Sequence, residues 1–367
     1  MKPLEGNGFL KRHGLKLVAS ALITCGIVFT VRKGGMKFLP EGGDFVHVKP
    51  WTVVAYIGSL VGVTWFRSVR WRLLLRPIAD VSRRRVVIVS CIGFAAIVLM
   101  PFRIGEFVRP YLIRSPGRLG GKSISLTAAT SSVVAERVID GLYVSIVLAL
   151  ALLFVPTVHP LPERVVGLPL AVENVRRSGY GMLVLFGVAF TTIAVFYFAR
   201  SWAHRTTLAV LGKVSASLAE RLATMAEKFA DGLHLFSRGR EAFWFMVETS
   251  AYWMLNALGM WLLAWGSGVV HADGSAPTFG EACAMMGLLS CTILIPGPPG
   301  MLGVFQVGIY AAMTMFYPTS MVVGAGAAFV FLLYASQVVC QLLFGAIALW
   351  LDWDGVTALE ESPIAAE

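Results

Sequence analysis

Residues 86–113 read VVIVSCIGFAAIVLM-PFRIGEFVRPYLI. A predominantly apolar arm of 15 residues stops at Pro101, and Arg103, Gly105, Glu106, Arg109 and Pro110 follow at once. Crossing a bilayer as helix takes about 20 apolar residues. The arm is short of that, and proline and glycine interrupt what comes next. The stretch therefore predicts an element that dips into a membrane and returns to the same face. Irregular backbone at that depth survives only where protein or water covers it.

The motif recurs. Pro101-x-x-x-Gly105-x-Phe107 is matched 198 residues later by Pro299-x-x-x-Gly303-x-Phe305. The same offset lays residues 52–66 over 250–264, 86–100 over 284–298, and 139–155 over 337–353 without a gap. Four segments in one register predict an internal duplication, with halves at about 52–155 and 250–351, a common build among transporters.

Composition agrees with a membrane setting. Hydrophobic residues make up 57% of the 367 and charged residues 14%, against about 45–50% and about 25% in soluble domains. The excess lies in blocks at 15–31, 52–66, 86–100, 139–155, 180–199, 243–265, 279–295 and 321–351. The expected fold is an all-α polytopic membrane protein, an inverted-repeat helical bundle with paired re-entrant elements occupying residues 1–351. A soluble enzyme, a secreted disulfide scaffold and a disordered chain are excluded. The first block follows Lys11, Arg12 and Lys16, and Arg32 and Lys33 come directly after it with no small-x-small site. It reads as an uncleaved helix rather than a signal peptide. Residues 213–236 repeat apolar side chains every three or four positions between charges, as an interfacial amphipathic helix does. Residues 352–367 form an acidic tail.

Basic residues choose the topology. With the N-terminus inside and 86–137 entering and leaving on one face, 23 Lys and Arg fall on the cytoplasmic side and 7 outside. Making 86–100 a full span gives about 14 against 16 on the same rule. The first arrangement puts both termini in the cytoplasm and three crossings between the matching helices, which inverts one half relative to the other. A net charge of +10 then reads as topology and attraction to anionic lipid rather than nucleic-acid binding. The five cysteines all lie in apolar stretches without a CxxC, and the six histidines show no ligand spacing. No metal or other cofactor is expected.

Four groups of residues carry the candidate chemistry. Arg103, Glu106 and Arg109 stand three apart and line one face if helical, and their net charge of +1 suits a phosphate. Pro101, Gly105 and Pro110 bracket them. An ordinary cytoplasmic loop is the competing reading. Glu136, Arg137 and Asp140 open an otherwise apolar helix, either as a mutually satisfied cluster or as a polar pocket for a headgroup or coupling ion. Pro296, Pro298, Pro299, Gly300 and Gly303 cannot belong to a continuous helix. A helix opening near Gly303 presents N–H groups to an anion, with Gln306 close behind, unless the stretch is a plain extracellular turn. Arg67, Arg70, Arg72 and Arg76 with Trp65 and Trp71 read as an interfacial anchor, with a lipid-phosphate contact as the rival.

At these residues the sequence resembles the flippase-like transmembrane domain of lysylphosphatidylglycerol synthases and its stand-alone relatives. The resemblance rests on Arg70-Trp71-Arg72-Leu73-Leu74-Leu75, Pro101-x-Arg103-x-Gly105-Glu106-x-x-Arg109, Glu136-Arg137-x-x-Asp140 and Pro298-Pro299-Gly300-x-x-Gly303-Val304-Phe305. It spans about residues 15–350. It implies an inner-membrane protein whose best-known relatives move an aminoacylated phospholipid between leaflets, while others accompany polyprenyl-glycolipid or hopanoid pathways. The synthases continue into a soluble aminoacyl-transferase domain. This sequence stops at Glu367, which implies a stand-alone member that makes no lysyl lipid. The second motif often ends in Glu within the family, and Gln306 stands there instead.

The expected function is lipid translocation, with Arg103 and Arg109 on a lipid phosphate and Glu106, Glu136 and Asp140 facing the rest of the headgroup or an ion. The expected partners are membrane lipids: an anionic or aminoacylated phospholipid, or a polyprenyl-linked lipid. The alternatives are a transporter of a small polar or anionic solute, and a non-transporting subunit that recruits a glycosyltransferase or lipid synthase. No nucleophile–base pair and no G-x-x-x-x-G-K loop is present, so neither an embedded enzyme nor direct ATP drive is expected.

Overall fold

A computed structural model describes residues 25–26, 29, 33–114, 124–211, 213, 215, 217, 219–220, 223–224, 239–294 and 297–352. The apolar block 15–31 and the amphipathic segment 213–236 lie largely outside the described residues. Pro296 and the tail after Asp352 lie wholly outside them.

Every named element is a helix. They run α1 (Pro50–Leu75), α2 (Arg83–Leu99), a 3-10 turn (Pro101–Phe107), α3 (Val108–Ile113), α4 (Leu126–Phe154), α5 (Val172–Phe198) and α6 (Arg200–Leu211). The second series is α7 (Gly239–Gly266), α8 (Phe279–Thr292), a 3-10 turn (Pro299–Met301), α9 (Val304–Met313), α10 (Thr319–Val323) and α11 (Ala325–Leu351). Four of them, α1, α4, α5 and α11, are long and apolar enough to cross a membrane. The chain is an all-α polytopic membrane protein. At 28 residues α7 is equally long, but its tryptophans and Asn256 lower its hydropathy.

Local sequence sets the helix starts. Pro50 fills the first position of α1, where its missing N–H costs nothing. Ser82 and Ser125 accept the N–H groups of Arg85 and Ala128 at 3.2 Å and so cap α2 and α4. Thr278 and Glu281 form a reciprocal capping box at α8.

Two helices start or end well beyond the apolar blocks that announce them. Helix α1 runs nine residues past position 66 and carries Arg67, Arg70 and Arg72 inside it. Helix α4 starts at Leu126, so Glu136, Arg137 and Asp140 sit mid-helix rather than at its start. The cause is common to both: hydropathy ends a span at the first charge, whereas a charge that finds a partner continues it.

Helices α1, α2, the 3-10 turn, α3 and α4 are matched in order by α7, α8, the second 3-10 turn, α9 and α11, while α5, α6 and the short α10 stand outside the match, and the backbone repeats in detail. Phe102 and Arg103 have φ of 56° and 58°, in the left-handed region. Gly300 and Met301, at the same offset of 198, have φ of 65° and 56°. Three of these four are not glycine, and left-handed backbone costs such residues about 1–2 kcal/mol each. The packing is reciprocal. Helices α1 and α7 lie along each other, with Gly259 against Ser59 and Tyr56, the close approach small residues permit within a membrane. Helix α2 packs on α11 of the other series, and α8 on α4. The two 3-10 turns meet, and the N–H of Phe102 donates to the carbonyl of Gly297 at 2.9 Å.

Candidate substrate site

The motif is not one regular helix: a left-handed pair at Phe102 and Arg103 opens a 3-10 turn that gives way to α3 at Val108. On a regular helix Arg103, Glu106 and Arg109 would share a face. Here Arg103 and Glu106 pair with each other, and Arg103 Nη1 also donates to the carbonyl of Ile293 at 2.8 Å, close to the end of α8. Arg109 turns away into the protein, 2% exposed, with its guanidinium over the Trp71 ring at 4.2 Å. Gly105 is buried against the α2 backbone at Ala96 and Ile97, where a Cβ would collide. Pro110 is buried within α3.

Arg109 joins a cluster that the first helix completes. Its Nη1 is 3.0 Å from Glu136 Oε2. Arg70, fully buried, donates to both oxygens of Asp140 at 2.5 and 2.6 Å, to Glu136 Oε1 at 2.9 Å and to Thr249 Oγ1 at 3.1 Å. Arg137 reaches Glu136 at 3.1 Å and Asp140 at 3.4 Å. The Trp253 indole N–H donates to Asp140 at 3.3 Å, and Tyr252 packs its ring 4.8 Å from the Arg70 guanidinium. Three guanidiniums thus surround two carboxylates, leaving one positive charge in excess. A buried pair of this kind adds little net stability when intact, yet removing one partner costs about 3–5 kcal/mol.

Above the cluster lies a cavity of about 410 Å³, within the range of roughly 300–1,000 Å³ usual for small-molecule sites. Arg67, Arg103, Glu106, Arg137, Asp140 and Asn256 give it polar groups of both signs. Its apolar wall includes Phe102, Phe107, Met286 and Leu289, and α5 closes one side with Met182 and Phe186. Elements of both series therefore line one chamber.

The expected site residues divide accordingly. Arg103, Glu106, Arg137 and Asp140 line the cavity. Arg109 and Glu136 lie behind it as buried support. Gln306, 3% exposed, is elsewhere: its Oε1 accepts the Gly303 N–H at 2.6 Å and caps α9. One N–H that sequence reading offers to an anion is thereby satisfied from within. Pro298 precedes the second 3-10 turn, Pro299 and Gly300 lie in it, and Gly303 with φ 86° is the N-cap of α9.

Arg70 corrects the reading of its segment as an interfacial band, since it is sealed in the protein rather than lying at a surface. The signal was there in helical phase. Tyr56, Val63, Arg70 and Leu74 fall on one buried stripe, and Arg70 continues it at the spacing of its apolar neighbours. Arg67, of the same band, is also on the cavity wall, as are Asn256 and Gln337, which belong to no motif.

No curated protein and no solved structure matches the chain. The family model for the lysylphosphatidylglycerol synthase TM region matches residues 16–345. That match covers α1 to α11 almost completely, together with the ion cluster and both 3-10 turns, and the chain belongs to the lysylphosphatidylglycerol synthase TM region family.

Proposed function

We propose that this protein moves a lipid with an anionic or aminoacylated headgroup, or a polyprenyl-linked one, from one leaflet of the bacterial inner membrane to the other. The observation that carries the reading is the single chamber lined by both series, which puts Arg103, Arg137, Glu106 and Asp140 beside an aromatic and methionine wall. The basic groups suit a phosphate and the carboxylates suit the hydroxyls or the aminoacyl ammonium of the headgroup, while a volume of about 410 Å³ holds a headgroup and leaves the acyl chains in lipid.

The two motif turns act as paired re-entrant gates in this reading. At about 1.5 Å per residue, 14-residue α8 reaches roughly 21 Å, short of the hydrocarbon thickness of about 30 Å. The turns meet where the shortened arms end, and the halves are inverted, with both termini cytoplasmic. Leaving out the buried Arg70, Arg85 and Arg109 and the cavity-lining Arg67 and Arg103 retains 18 of the 23 cytoplasmic basic residues against 7 outside, so the charge argument survives their placement. Arg103 and Arg137 give the chamber wall its basic character, and Glu106 and Asp140 face a cationic or hydroxylated part of the headgroup. Translocation needs no covalent step.

A second reading is favoured by the same volume. A chamber of this size also suits a small polar or anionic solute. Proteoliposomes distinguish the two. Phosphatidylglycerol, an aminoacylated phosphatidylglycerol and a polyprenyl phosphate are followed side by side in wild type, Arg103→Ala and Glu106→Gln. Movement of one lipid above empty liposomes, lost in both variants, supports translocation. If none moves under imposed proton or sodium gradients, with the protein folded, the reading fails, and solute uptake or recruitment of a glycosyltransferase or lipid synthase takes its place.

A further inference from the structure

Among the described residues, one arginine on the chamber wall makes no ion pair. Glu106 is taken by Arg103, and Glu136 and Asp140 are divided among Arg70, Arg109 and Arg137. Arg67, one turn before Arg70 on α1, forms no ion pair among the described residues: Glu136 and Asp140 lie near enough to act on it but are held by the other arginines. Its Nε is buried without a hydrogen-bond partner, and its guanidinium lies over the Phe94 ring at 4.1 Å. Arg67 also lines the main cavity and two smaller ones of about 120 and 40 Å³ that adjoin it.

The groups around it are free amides. Asn256 on α7 and Gln337 and Gln341 on α11 line the smallest cavity with Arg67. Among the described residues none of the three side chains makes a hydrogen bond. Gln337 and Gln341 are one helical turn apart and share a face. Neutral donors from two helices and a guanidinium from a third approach one volume from different sides. A planar carboxylate is satisfied by the guanidinium fork alone, whereas a tetrahedral oxyanion has oxygens left for donors arriving from other directions.

We infer that Arg67 is the anion-contacting residue of this protein. A phosphate ester sits where the three cavities meet, held by the Arg67 guanidinium against Phe94 and by the amides of Asn256, Gln337 and Gln341. The assignment differs from the motif arginines, because Arg109 is sealed behind the cavity and Arg103 is neutralised by Glu106. It rests on the translocase reading only for the molecule that carries the phosphate. A lipid headgroup and a free phosphate monoester present the same chemistry to Arg67.

The test is binding to the full chain in detergent, read by native mass spectrometry. The probes are phosphatidylglycerol, diacylglycerol as the same lipid without phosphate, and glycerol phosphate as the headgroup without chains. Wild type is expected to prefer phosphatidylglycerol to diacylglycerol, and Arg67→Gln to weaken that binding by about tenfold or more, the usual effect of losing a charge-assisted contact. Arg67→Lys keeps the charge and is expected to restore most of it. Gln337→Leu leaves the cation in place and is expected to weaken binding by roughly threefold to tenfold, which keeps the test decisive if Arg67→Gln does not fold. Glycerol phosphate binding as tightly as the lipid, and dependent on Arg67, supports the anion site and assigns it to a soluble ligand. Phosphatidylglycerol binding that is equal in wild type, Arg67→Gln and Gln337→Leu overturns the inference, as does equal binding of diacylglycerol. Arg67-dependent binding without lipid movement removes the translocase reading alone. Lipid movement that survives Arg67→Gln at the wild-type rate removes this assignment and spares that one.

Discussion

Arg70 on α1 holds both carboxylate oxygens of Asp140 on α4, at 2.5 and 2.6 Å, deep in a protein whose sequence gives no apolar reason for either to be there. The pair ties the first helix to the fourth and anchors every other charge in the cluster. Asp140→Asn leaves Arg70 buried with less than its countercharge and is expected to cost about 3–5 kcal/mol. Arg70→Lys gives up the two-pronged contact and is expected to destabilise as well. Thermal unfolding in detergent reads both. A melting point unchanged in either variant would mean that the cluster does not hold the fold.

The Arg103–Glu106 pair is different in kind. Its side chains are 19% and 25% exposed, and partly exposed pairs contribute up to about 1 kcal/mol. Arg103→Gln, Glu106→Gln and the double variant are therefore expected to melt near wild type while losing lipid movement. Should they unfold as readily as Asp140→Asn, the pair is structural support and the site lies elsewhere.

Gly105 nests on the α2 backbone, which cannot step aside as a side chain would. Gly105→Ala is expected to cost at least the roughly 1–3 kcal/mol of an overpacked core. Gly181, within α5, has open space around it. Gly181→Ala is expected to be neutral or to stabilise by up to about 1 kcal/mol through helix propensity. Equal melting of the two variants contradicts the nested turn.

Asp352 follows α11 and is 3% exposed, paired with Arg85 of α2, whose Nη2 also donates to the Leu112 carbonyl at 3.0 Å. The first residue of the expected acidic tail is thus part of the folded body. Asp352→Asn is expected to lower stability by about 3–5 kcal/mol and to loosen the α2–α11 contact. Hydrogen exchange at the end of α11 measures it, and protection as in wild type would count against the pairing.

Membrane class and the offset of 198 were legible because both are properties of pattern. Apolar blocks announce spans, and Pro-x-x-x-Gly-x-Phe marks the same turn twice. The two left-handed residues inside each turn were not legible, since Phe, Arg and Met give no hint of positive φ. Nor was the change from 3-10 turn to α-helix at Val108, across which Arg109 parts from Glu106 and joins Glu136 instead. Arg70 went unread because hydropathy counts a charge as the end of a helix, and only the phase of its stripe marks it as interior. Gln306 shows the opposite case, a polar residue in a suggestive motif that serves as a cap. In the sequence Arg67 is one arginine of the basic-aromatic band, not set apart from its neighbours. It stands out only when every carboxylate has been assigned, which takes three dimensions.

One wall of the chamber belongs to α5, through Met182 and Phe186, and α5 has just 11% of its apolar window covered by protein. It packs on α4 along one side, with Phe186 against Gly141, and turns most of the rest outward. Acyl-chain length and lateral pressure then become components of the binding site, as much as any side chain. A bilayer of different thickness tilts this helix and reshapes the chamber with no change in sequence. Under the proposed translocation, the membrane that supplies the lipid would also adjust the opening through which it passes.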